Sequence, residues 1–196
     1  MSNSLNDAGW DLLFRNARTR NGWQDRPIPA ETLKQLFDLL KMAPTAFNCQ
    51  PARFVFVQSP EAKERLAPHM MASNAAKMKK ASACVIVAYD TKFYEHLPKS
   101  FPAYDAKPMF ESNAELADAT AKRNGSLQGG YFILAARSLG LDCGPMSGFN
   151  NQSLDAEFFP DGRFKSNFLV NIGYGTDENL YPRNPRFAFD EACQIL

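Results

Sequence analysis

The stretch Ala43-Pro44-Thr45-Ala46-Phe47-Asn48-Cys49-Gln50-Pro51 lies between a strongly periodic segment and a short apolar run. It is too polar for a core element, and a proline near each end keeps it out of the neighbouring regular structure. We therefore predict a shaped loop that meets a flat ligand with backbone amides and short side chains.

Regular structure is predicted on both sides of this loop. Leu33, Leu36, Phe37 and Leu40 recur at i, i+3, i+4 and i+7, which indicates a preceding helix with one buried face. The apolar run 53–58 predicts a strand covered on both faces. The other main elements expected are a helix opened by Asn6 or Asp7, strands over 83–89 and 168–175, and a long helix over about 113–140.

The composition is that of an ordinary globular domain. The chain has 196 residues, of which 45% are hydrophobic and 22% charged, with a net charge of +1. That charge gives no reason to expect nucleic acid or an anionic membrane surface as a partner. No apolar run approaches the roughly 20 residues of a membrane span, and residues 1–11 lack the regions of a signal peptide. We expect one α+β domain over residues 1–196, located in the cytoplasm, with its thiols free.

Several common catalytic signatures do not occur in the sequence. It contains no glycine-rich dinucleotide fingerprint, no P-loop, no nucleophile elbow and no set of residues with metal-ligand spacing. If the protein is an enzyme, a bound cofactor is therefore expected to carry the difficult chemistry.

A basic segment follows the first predicted helix. Arg18, Thr19, Arg20 and Asn21 stand beside a glycine, and guanidinium, hydroxyl and amide donors suit a phosphate. The alternative is a solvated basic helix end stabilised by the helix dipole. Taken alone, the segment favours this alternative.

Two other polar segments are open to a plain and to a functional interpretation. Asn74 and Lys77 project to the same side of a helical turn, although a surface helix explains them as well. Segment 141–149 contains Gly-Pro and Ser-Gly and predicts a bent loop. Its amides could bind the carbonyls and ring nitrogens of a heterocycle, and a simple turn explains the glycines equally well.

Three further features concern packing. Glycines at 125, 129 and 130 interrupt the long helix, each at a cost of about 1 kcal/mol relative to alanine. They predict a close approach by another backbone or a flat ligand, with a loop between two shorter helices as the alternative. The aromatic segment 90–112 is interpreted as a binding loop, a lid or short helices. The tail 180–196 contains two prolines near its start and is expected to wrap a neighbouring surface.

Five of these stretches, in this order, resemble the nitroreductase family of FMN-dependent oxidoreductases. They are 17–23, 44–51, Asn74-x-x-Lys77, 139–149 and 171–175. The resemblance runs from about residue 10 to the C-terminus. Within the family, the chain is most similar to the branch that contains the malonic semialdehyde reductase of pyrimidine degradation.

The resemblance implies residues for the phosphate end of FMN. Arg18, Thr19 and Asn21 would hold the phosphate and ribityl end. Either Arg183 or Arg186, from the tail, would close over the phosphate.

The resemblance also implies residues around the flavin ring. Asn74 and Lys77 would reach the ribityl chain and the polar edge of the ring. The loop residues contributed by a partner subunit would be Thr45, Ala46, Phe47 and Asn48. Backbone contacts near flavin N5 would come from Met146, Ser147 and Gly148, and many relatives have Glu in place of Ser147.

The implied assembly is a homodimer with a mixed central sheet flanked by helices and a tail exchanged between subunits. The implied reaction is ping-pong hydride transfer from NADH or NADPH through flavin N5 to a small-molecule substrate. The subfamily favours an aldehyde such as malonic semialdehyde. Arg20, Arg123 and the aromatic segment 90–112 are the candidates for contacts with its carboxylate and its carbonyl oxygen. Alternatives are a reductase of nitroaromatics, quinones or enones, a flavin-binding protein without turnover, and an interaction domain without a cofactor.

Overall fold

The computed structural model describes residues 4–196, so residues 1–3 of the N-terminal segment lie outside the described part. Its strands are β1 (Gly22–Trp23), β2 (Ala52–Val57), β3 (Ala83–Asp90), β4 (Asp142–Met146), β5 (Phe164–Gly173) and β6 (Gly175–Thr176). Four of them form a sheet in the order β2-β3-β5-β4, and each neighbouring pair in it is antiparallel. Strands β1 and β6 pair separately. An isolated parallel bridge between Thr19 and Cys143 gives the arrangement its mixed character.

The helices surround this sheet. They are α1 (Asp7–Trp10, continued by a π-helical turn, Asp11–Arg15), α2 (Ala30–Leu40), α3 (Pro60–Leu66), α4 (Ala72–Lys80), α5 (Leu97–Ser100), α6 (Lys107–Glu111), α7 (Ala114–Ser138), α8 (Asn151–Phe158) and α9 (Phe189–Ala192). Asn6, Ser59 and Asn113 cap helix N-termini with their side chains, as such residues commonly do. Among residues 4–196, no helix has both the length and the apolar content that a membrane crossing requires.

The central strand β3 is the most deeply buried part of the sheet. All eight of its residues are buried, with Val85 and Val87 facing one apolar cluster and Cys84 and Ile86 facing another. The run at 53–58 does form a strand, and both of its faces are covered as expected, because Phe54 and Phe56 pack on one apolar cluster and Val55 packs on another. Strand β2 lies at the sheet edge and residues 53–56 are only partly buried.

The glycines of α7 have a different partner from the one expected. A Cβ on Gly129 would lie 2.4 Å from Phe168 Cζ, and one on Gly125 would lie 3.2 Å from Tyr89 Cβ. A Cβ on Gly130 would meet nothing within 4 Å. Two glycines therefore make room for side chains of the sheet, where we expected a backbone or a ligand, and α7 is one continuous helix.

Segment 141–149 is also different from the prediction. Residues 142–146 are the edge strand β4 and not part of a bent loop. Pro145 is tolerated there because an edge strand can leave one side of its backbone without ladder hydrogen bonds. Only residues 147–149 form the predicted bend.

Segment 90–112 forms short helices that pack on a third apolar cluster containing Phe93, Leu97 and Phe110. At its start the buried Asp90 carboxylate accepts hydrogen bonds from Arg53 Nη2 at 2.9 Å and from Arg163 Nε at 3.1 Å. The excursion is therefore anchored to the end of β3. Helical structure, one of the interpretations considered, is confirmed.

The tail is extended and exposed beyond Glu178, apart from the half-buried Leu180 and the short helix α9. Its exposed large side chains include Tyr181, Phe187, Phe189 and Ile195, and Phe187 is 81% exposed. Exchange of this tail between subunits stays a prediction.

Candidate functional site

A cavity of about 460 Å³ lies between the basic segment and the tail. Four arginines line it, namely Arg18, Arg137, Arg183 and Arg186. Thr19 and Asn21 add a hydroxyl and an amide at its edge. We refer to it as the guanidinium cavity, and its donors are those that bind phosphate oxygens.

Backbone contacts hold the two sides of the guanidinium cavity together. Arg183 Nη2 donates to the carbonyls of Arg15 and Ala17 at 2.7 and 3.0 Å. Arg18 Nη2 donates to the carbonyl of Tyr181. The basic segment and the tail, which are more than 160 residues apart, thus position each other.

Arg20 has a different role from that of its neighbours. Its Nε donates to Asp142 at 3.2 Å, and its Nη1 donates to Asp177 at 2.5 Å. Partial burial opposes the charge of Arg20, but the hydrogen bond to Asp177 and the charge of Asp142 outweigh burial and raise its pKa. The guanidinium is therefore engaged by the chain's own carboxylates.

A second cavity, of about 410 Å³, adjoins the first and shares Thr19 and Asn21 with it. We refer to it as the amide cavity. Its other lining residues are Arg20, Met71, Ser73, Asn74, Lys77, Gly144, Pro145, Met146, Ser147, Gly148 and Asn171. The two cavities together place guanidinium groups, which suit a phosphate, at one end of the site. Side-chain and backbone amides lie at the other end.

Helix α4 and the bend after β4 approach closely at the amide cavity. Asn74 Nδ2 donates to the Gly148 carbonyl at 3.1 Å. A Cβ on Gly148 would lie 2.6 Å from that nitrogen and 2.7 Å from Met71 Sδ, so this contact requires glycine. Lys77, one turn after Asn74, forms no ion pair with any of residues 4–196.

Asn171 is a lining residue to which the sequence analysis gave no role. It lies on β5 and is 1% exposed, and its Oδ1 has no hydrogen-bond partner in the described structure. The available signal was an amide inside the apolar run Phe168–Ile172. Arg137 and Tyr181 were also missed, because only the fold brings them to the guanidinium cavity.

The loop residues Thr45, Ala46, Phe47 and Asn48 lie elsewhere. Ala46 N donates to Asn124 Oδ1 on α7 at 2.9 Å, and Asn48 Nδ2 donates to the Ser100 carbonyl at 2.8 Å. Phe47 packs edge-on against Phe101 and Phe110.

The same loop has a strained backbone. Phe47, Asn48 and Gln50 have φ values of 53°, 47° and 40°, in the left-handed region that non-glycine residues rarely adopt. Such conformations cost on the order of 1–3 kcal/mol each, and they often occur at ligand-binding sites. The predicted shape of the loop is therefore present, and its contact with a flat ligand stays a prediction.

This loop precedes edge strand β2, whereas the amide cavity adjoins the opposite edge strand, β4. With strands about 4.8 Å apart, the two edges are roughly 14 Å from each other. One chain thus brings together the candidates Arg18, Thr19, Asn21, Asn74, Lys77, Met146, Ser147, Gly148, Arg183 and Arg186. It does not bring the loop 45–48 to them.

Other reactive groups of the described residues do not form a second centre. Burial raises the pKa of the Cys49 thiol to about 11, so it is protonated near neutral pH. No three His, Cys, Asp or Glu side chains between residues 4 and 196 cluster in a way that could hold a metal ion.

Comparison with known proteins gives a consistent result. Residues 16–174 match the model of the nitroreductase family. A Rhodopseudomonas palustris protein named "Putative NADH dehydrogenase/NAD(P)H nitroreductase" is 58% identical over 196 residues, which is the full length of both chains.

Two solved structures, each described as a putative nitroreductase, share the fold. One is ydfN from Bacillus subtilis, with a TM-score of 0.84 and 25% identity over 97% of this chain and 100% of that one. The other, from Exiguobacterium sibiricum, is a complex with FMN. It has a TM-score of 0.85 and 21% identity over the full length of both chains.

Proposed function

The chain belongs to the nitroreductase family, and from this premise we propose that it is an FMN-dependent NAD(P)H oxidoreductase. The observation that carries the proposal is the junction of the two cavities at Thr19 and Asn21. A ligand with a phosphate at one end and a heterocycle at the other matches the donors of the two cavities, which are guanidiniums in one and amides in the other. The names of the relatives, which include NAD(P)H, support the choice of reductant.

The side chains present fit FMN. Four guanidiniums surround the cavity proposed for the phosphate, which is a dianion near neutral pH. The amide cavity offers Asn74, the positive charge of Lys77 and the backbone of the bend at Ser147 and Gly148. These groups suit the carbonyls and nitrogens of a flavin ring. Because Lys77 has no ion pair among the described residues, its charge is available to a ligand.

When bound, FMN supplies the hydride acceptor and hydride donor of the reaction. The residues of this chain would bind and orient the cofactor. Arg18, Arg183 and Arg186 would hold the phosphate, and Thr19 and Asn21 would hold the ribityl end. Lys77 would stabilise negative charge at the polar edge of the ring electrostatically. Overall, NAD(P)H supplies a hydride and is released as NAD(P)+, and the acceptor takes up that hydride and one proton. Reductant and acceptor would occupy the same place in turn.

We further propose that the site is completed by a second copy of the chain. The strained loop 45–48 lies at the opposite sheet edge from the amide cavity, so in a homodimer it serves the partner's cavity. Apolar surface favours such an assembly. Leu127 and Tyr131 on α7 are exposed, and so are Phe37 beside an apolar groove of about 720 Å³ and the aromatic side chains of the tail.

The acceptor we propose is a small aldehyde with a carboxylate, such as malonic semialdehyde, which would be reduced to 3-hydroxypropionate. Of the two candidate cations, Arg20 is engaged by Asp142 and Asp177. Arg123 is exposed on α7, has no partner among residues 4–196, and precedes Asn124, which holds the loop at Ala46. Arg123 is therefore the cation proposed for the carboxylate.

The relatives' name favours a nitroaromatic as a second candidate acceptor, and quinones and enones belong to the same class of reaction. The remaining alternative is a flavin-binding protein without turnover, since Ser147 occupies a position where many family members have Glu.

The deciding experiment is anaerobic reduction of the purified protein loaded with FMN. NADH and NADPH are added separately, and the absorbance of the oxidised flavin near its visible maximum is followed. Bleaching by either nucleotide supports an oxidoreductase. A flavin band that persists with both nucleotides contradicts the proposal and favours a binding protein. Reoxidation by a panel of aldehyde, quinone and nitro compounds then identifies the acceptor class.

The role of Arg123 is tested by Arg123→Gln, with Lys122→Gln as the matched control because Lys122 pairs with Asp118. We expect the KM for a carboxylate-bearing aldehyde to rise about tenfold or more, since a hydrogen bond to a charged group is worth about 1.5–3 kcal/mol. The KM for a neutral aldehyde should not change. Equal effects on both aldehydes would remove Arg123 from substrate recognition.

A further inference from the structure

The carboxamide of Asn171 is almost without hydrogen bonds although it is buried. Its Oδ1 has no partner among the described residues, and its Nδ2 contacts Met146 Sδ at 3.7 Å. Buried side-chain amides are normally satisfied, because an unsatisfied group loses its hydration without compensation. An amide in this state indicates a partner that the chain itself does not provide.

The surroundings of Asn171 explain why the chain offers no partner. On the sheet its direct neighbours are Gly144 of β4, which has no side chain, and Cys84 of β3. Leu169, two residues earlier on the same face, belongs to an apolar cluster. An apolar residue would suit this face better, so the fold alone gives no reason for an amide.

Access to Asn171 is through the amide cavity, which it lines together with Met146. The half-buried Met146 side chain covers the amide. Methionine is unbranched and adapts easily to a new neighbour. A modest rotation of Met146 would therefore open the Asn171 amide to a ligand in the cavity.

We propose that Asn171 is a ligand-binding residue, whose Oδ1 accepts a hydrogen bond from a donor group of the bound ligand once Met146 has moved aside. This inference rests on the proposed function, in which the ligand is FMN. The donor is either the ring N–H of the flavin or a ribityl hydroxyl, since these are the groups of FMN able to donate at neutral pH.

The first test is Asn171→Leu, with Asn167→Leu as the control. Asn167 is on the same strand, but its Nδ2 donates to Ser126 Oγ at 2.8 Å. FMN affinity is measured by quenching of flavin fluorescence, and the thermal midpoint is measured without FMN. Asn171→Leu should weaken FMN binding at least tenfold and raise the midpoint of the FMN-free protein. Asn167→Leu should leave FMN affinity unchanged.

Opposite changes in affinity and stability separate a ligand-binding role from a structural one. If Asn171→Leu binds FMN as tightly as the wild type, or loses affinity only in proportion to lost stability, the inference is overturned. If the wild type does not retain FMN at all, the proposed function and this inference both fail.

A second measurement uses the wild type and keeps the inference testable if the variant does not fold. The analogues are FMN methylated at the ring N–H and FMN lacking its 2′ hydroxyl. One of them should bind the wild type at least tenfold more weakly than FMN, and a folded Asn171→Leu should be insensitive to that change. If the wild type binds both analogues as tightly as FMN, or if wild type and variant lose the same factor with each, the inference is overturned.

Discussion

Arg183 and Arg186 both line the guanidinium cavity, but they differ in what else they hold. Arg183 bonds to backbone carbonyls of the basic segment and so fixes the start of the tail. Among the described residues, Arg186 donates only to the neighbouring carbonyls of Asn184 and Pro185. Replacing Arg186 therefore removes a guanidinium from the cavity and leaves the anchoring of the tail intact.

We predict that Arg186→Gln weakens FMN binding about tenfold, because a charge-assisted hydrogen bond contributes about 1.5–3 kcal/mol. Riboflavin, which lacks the phosphate, should bind the variant and the wild type equally. Titration of both ligands by fluorescence measures this, with Arg65→Gln as the control since Arg65 pairs with Glu157 on the surface. A parallel loss of riboflavin affinity would mean that Arg186 does not act through the phosphate.

The thiols give a second prediction for single residues. Burial raises the pKa of Cys49 to about 11 and those of Cys84 and Cys143 to about 12, whereas Cys193 is exposed. Because thiolates are the reactive form, a disulfide reagent at pH 8 should modify Cys193 first and the other three only on unfolding. Rapid modification of more than one thiol in the native protein would contradict the structure.

The same pKa values set the sign of an alkaline effect. A folded-state pKa above the ordinary 9.0 means that the folded protein binds these protons more tightly than the unfolded chain does. Their contribution to stability is fully present below pH 9 and is lost as the pH rises towards 11–12. The urea midpoint should therefore fall over this range.

At the scale of elements, two adjacent glycines of α7 have different surroundings and should respond differently to substitution by alanine. Gly129 faces Phe168 of the sheet, whereas Gly130 is exposed and a Cβ there would meet nothing within 4 Å. Gly129→Ala should lower the free energy of unfolding, because its Cβ would lie 2.4 Å from a ring carbon. Gly130→Ala should raise it by about 1 kcal/mol, the intrinsic preference of a helix for alanine. Urea unfolding of both variants measures the difference, and equal effects would contradict the assigned faces.

Elements with strong periodicity were predictable, and the identity of edge strands was not. The spacing of Leu33, Leu36, Phe37 and Leu40 correctly predicted α2, but Phe37, which was expected on the buried face, is 48% exposed. The apolar run at 83–89 predicted β3. An apolar run does not show whether its strand is central or at an edge, so the position of β2 at the edge of the sheet was not predictable. Gly144 and Pro145 are typical of turns, and they hid β4 because an edge strand tolerates both.

The candidate site was predictable where its residues lie in short local patterns. Short patterns of neighbouring residues identify Arg18, Thr19 and Asn21 in one segment and Asn74 and Lys77 in another. The contribution of Arg137 depends on helix packing. The isolation of the Asn171 amide depends on a glycine 27 positions earlier on the neighbouring strand. Such relations exist only after the chain has folded.

For the whole molecule, the exposed apolar side chains of the tail lead to a prediction about assembly. Phe187 and Phe189 are 81% and 63% exposed in a single chain. Burying a large apolar side chain contributes about 1.5–3 kcal/mol. Replacing both by Ser should therefore weaken the proposed homodimer and release FMN on dilution.

Sedimentation velocity across a concentration series measures this weakening, with Tyr104→Ser as the control because Tyr104 is 60% exposed in segment 90–112. A wild type that is monomeric and retains FMN would refute the assembly. A double variant that dimerises as tightly as the wild type would remove these two side chains from the interface.

The separation of the strained loop and the amide cavity on opposite edges of the sheet has a genetic consequence. Lys77→Met would disable the amide cavity of its own chain. Asn124→Leu would remove the hydrogen bond that holds the strained loop at Ala46, and so would disable the loop. If the proposed homodimer forms, mixing and reassembling the two chains in equal amounts gives hybrid dimers that have one doubly defective and one intact centre. Hybrids are half of all dimers, so about a quarter of all centres should then regain activity. Complementation between two inactive alleles would thus indicate that each active centre combines the cavity of one chain with the loop of another.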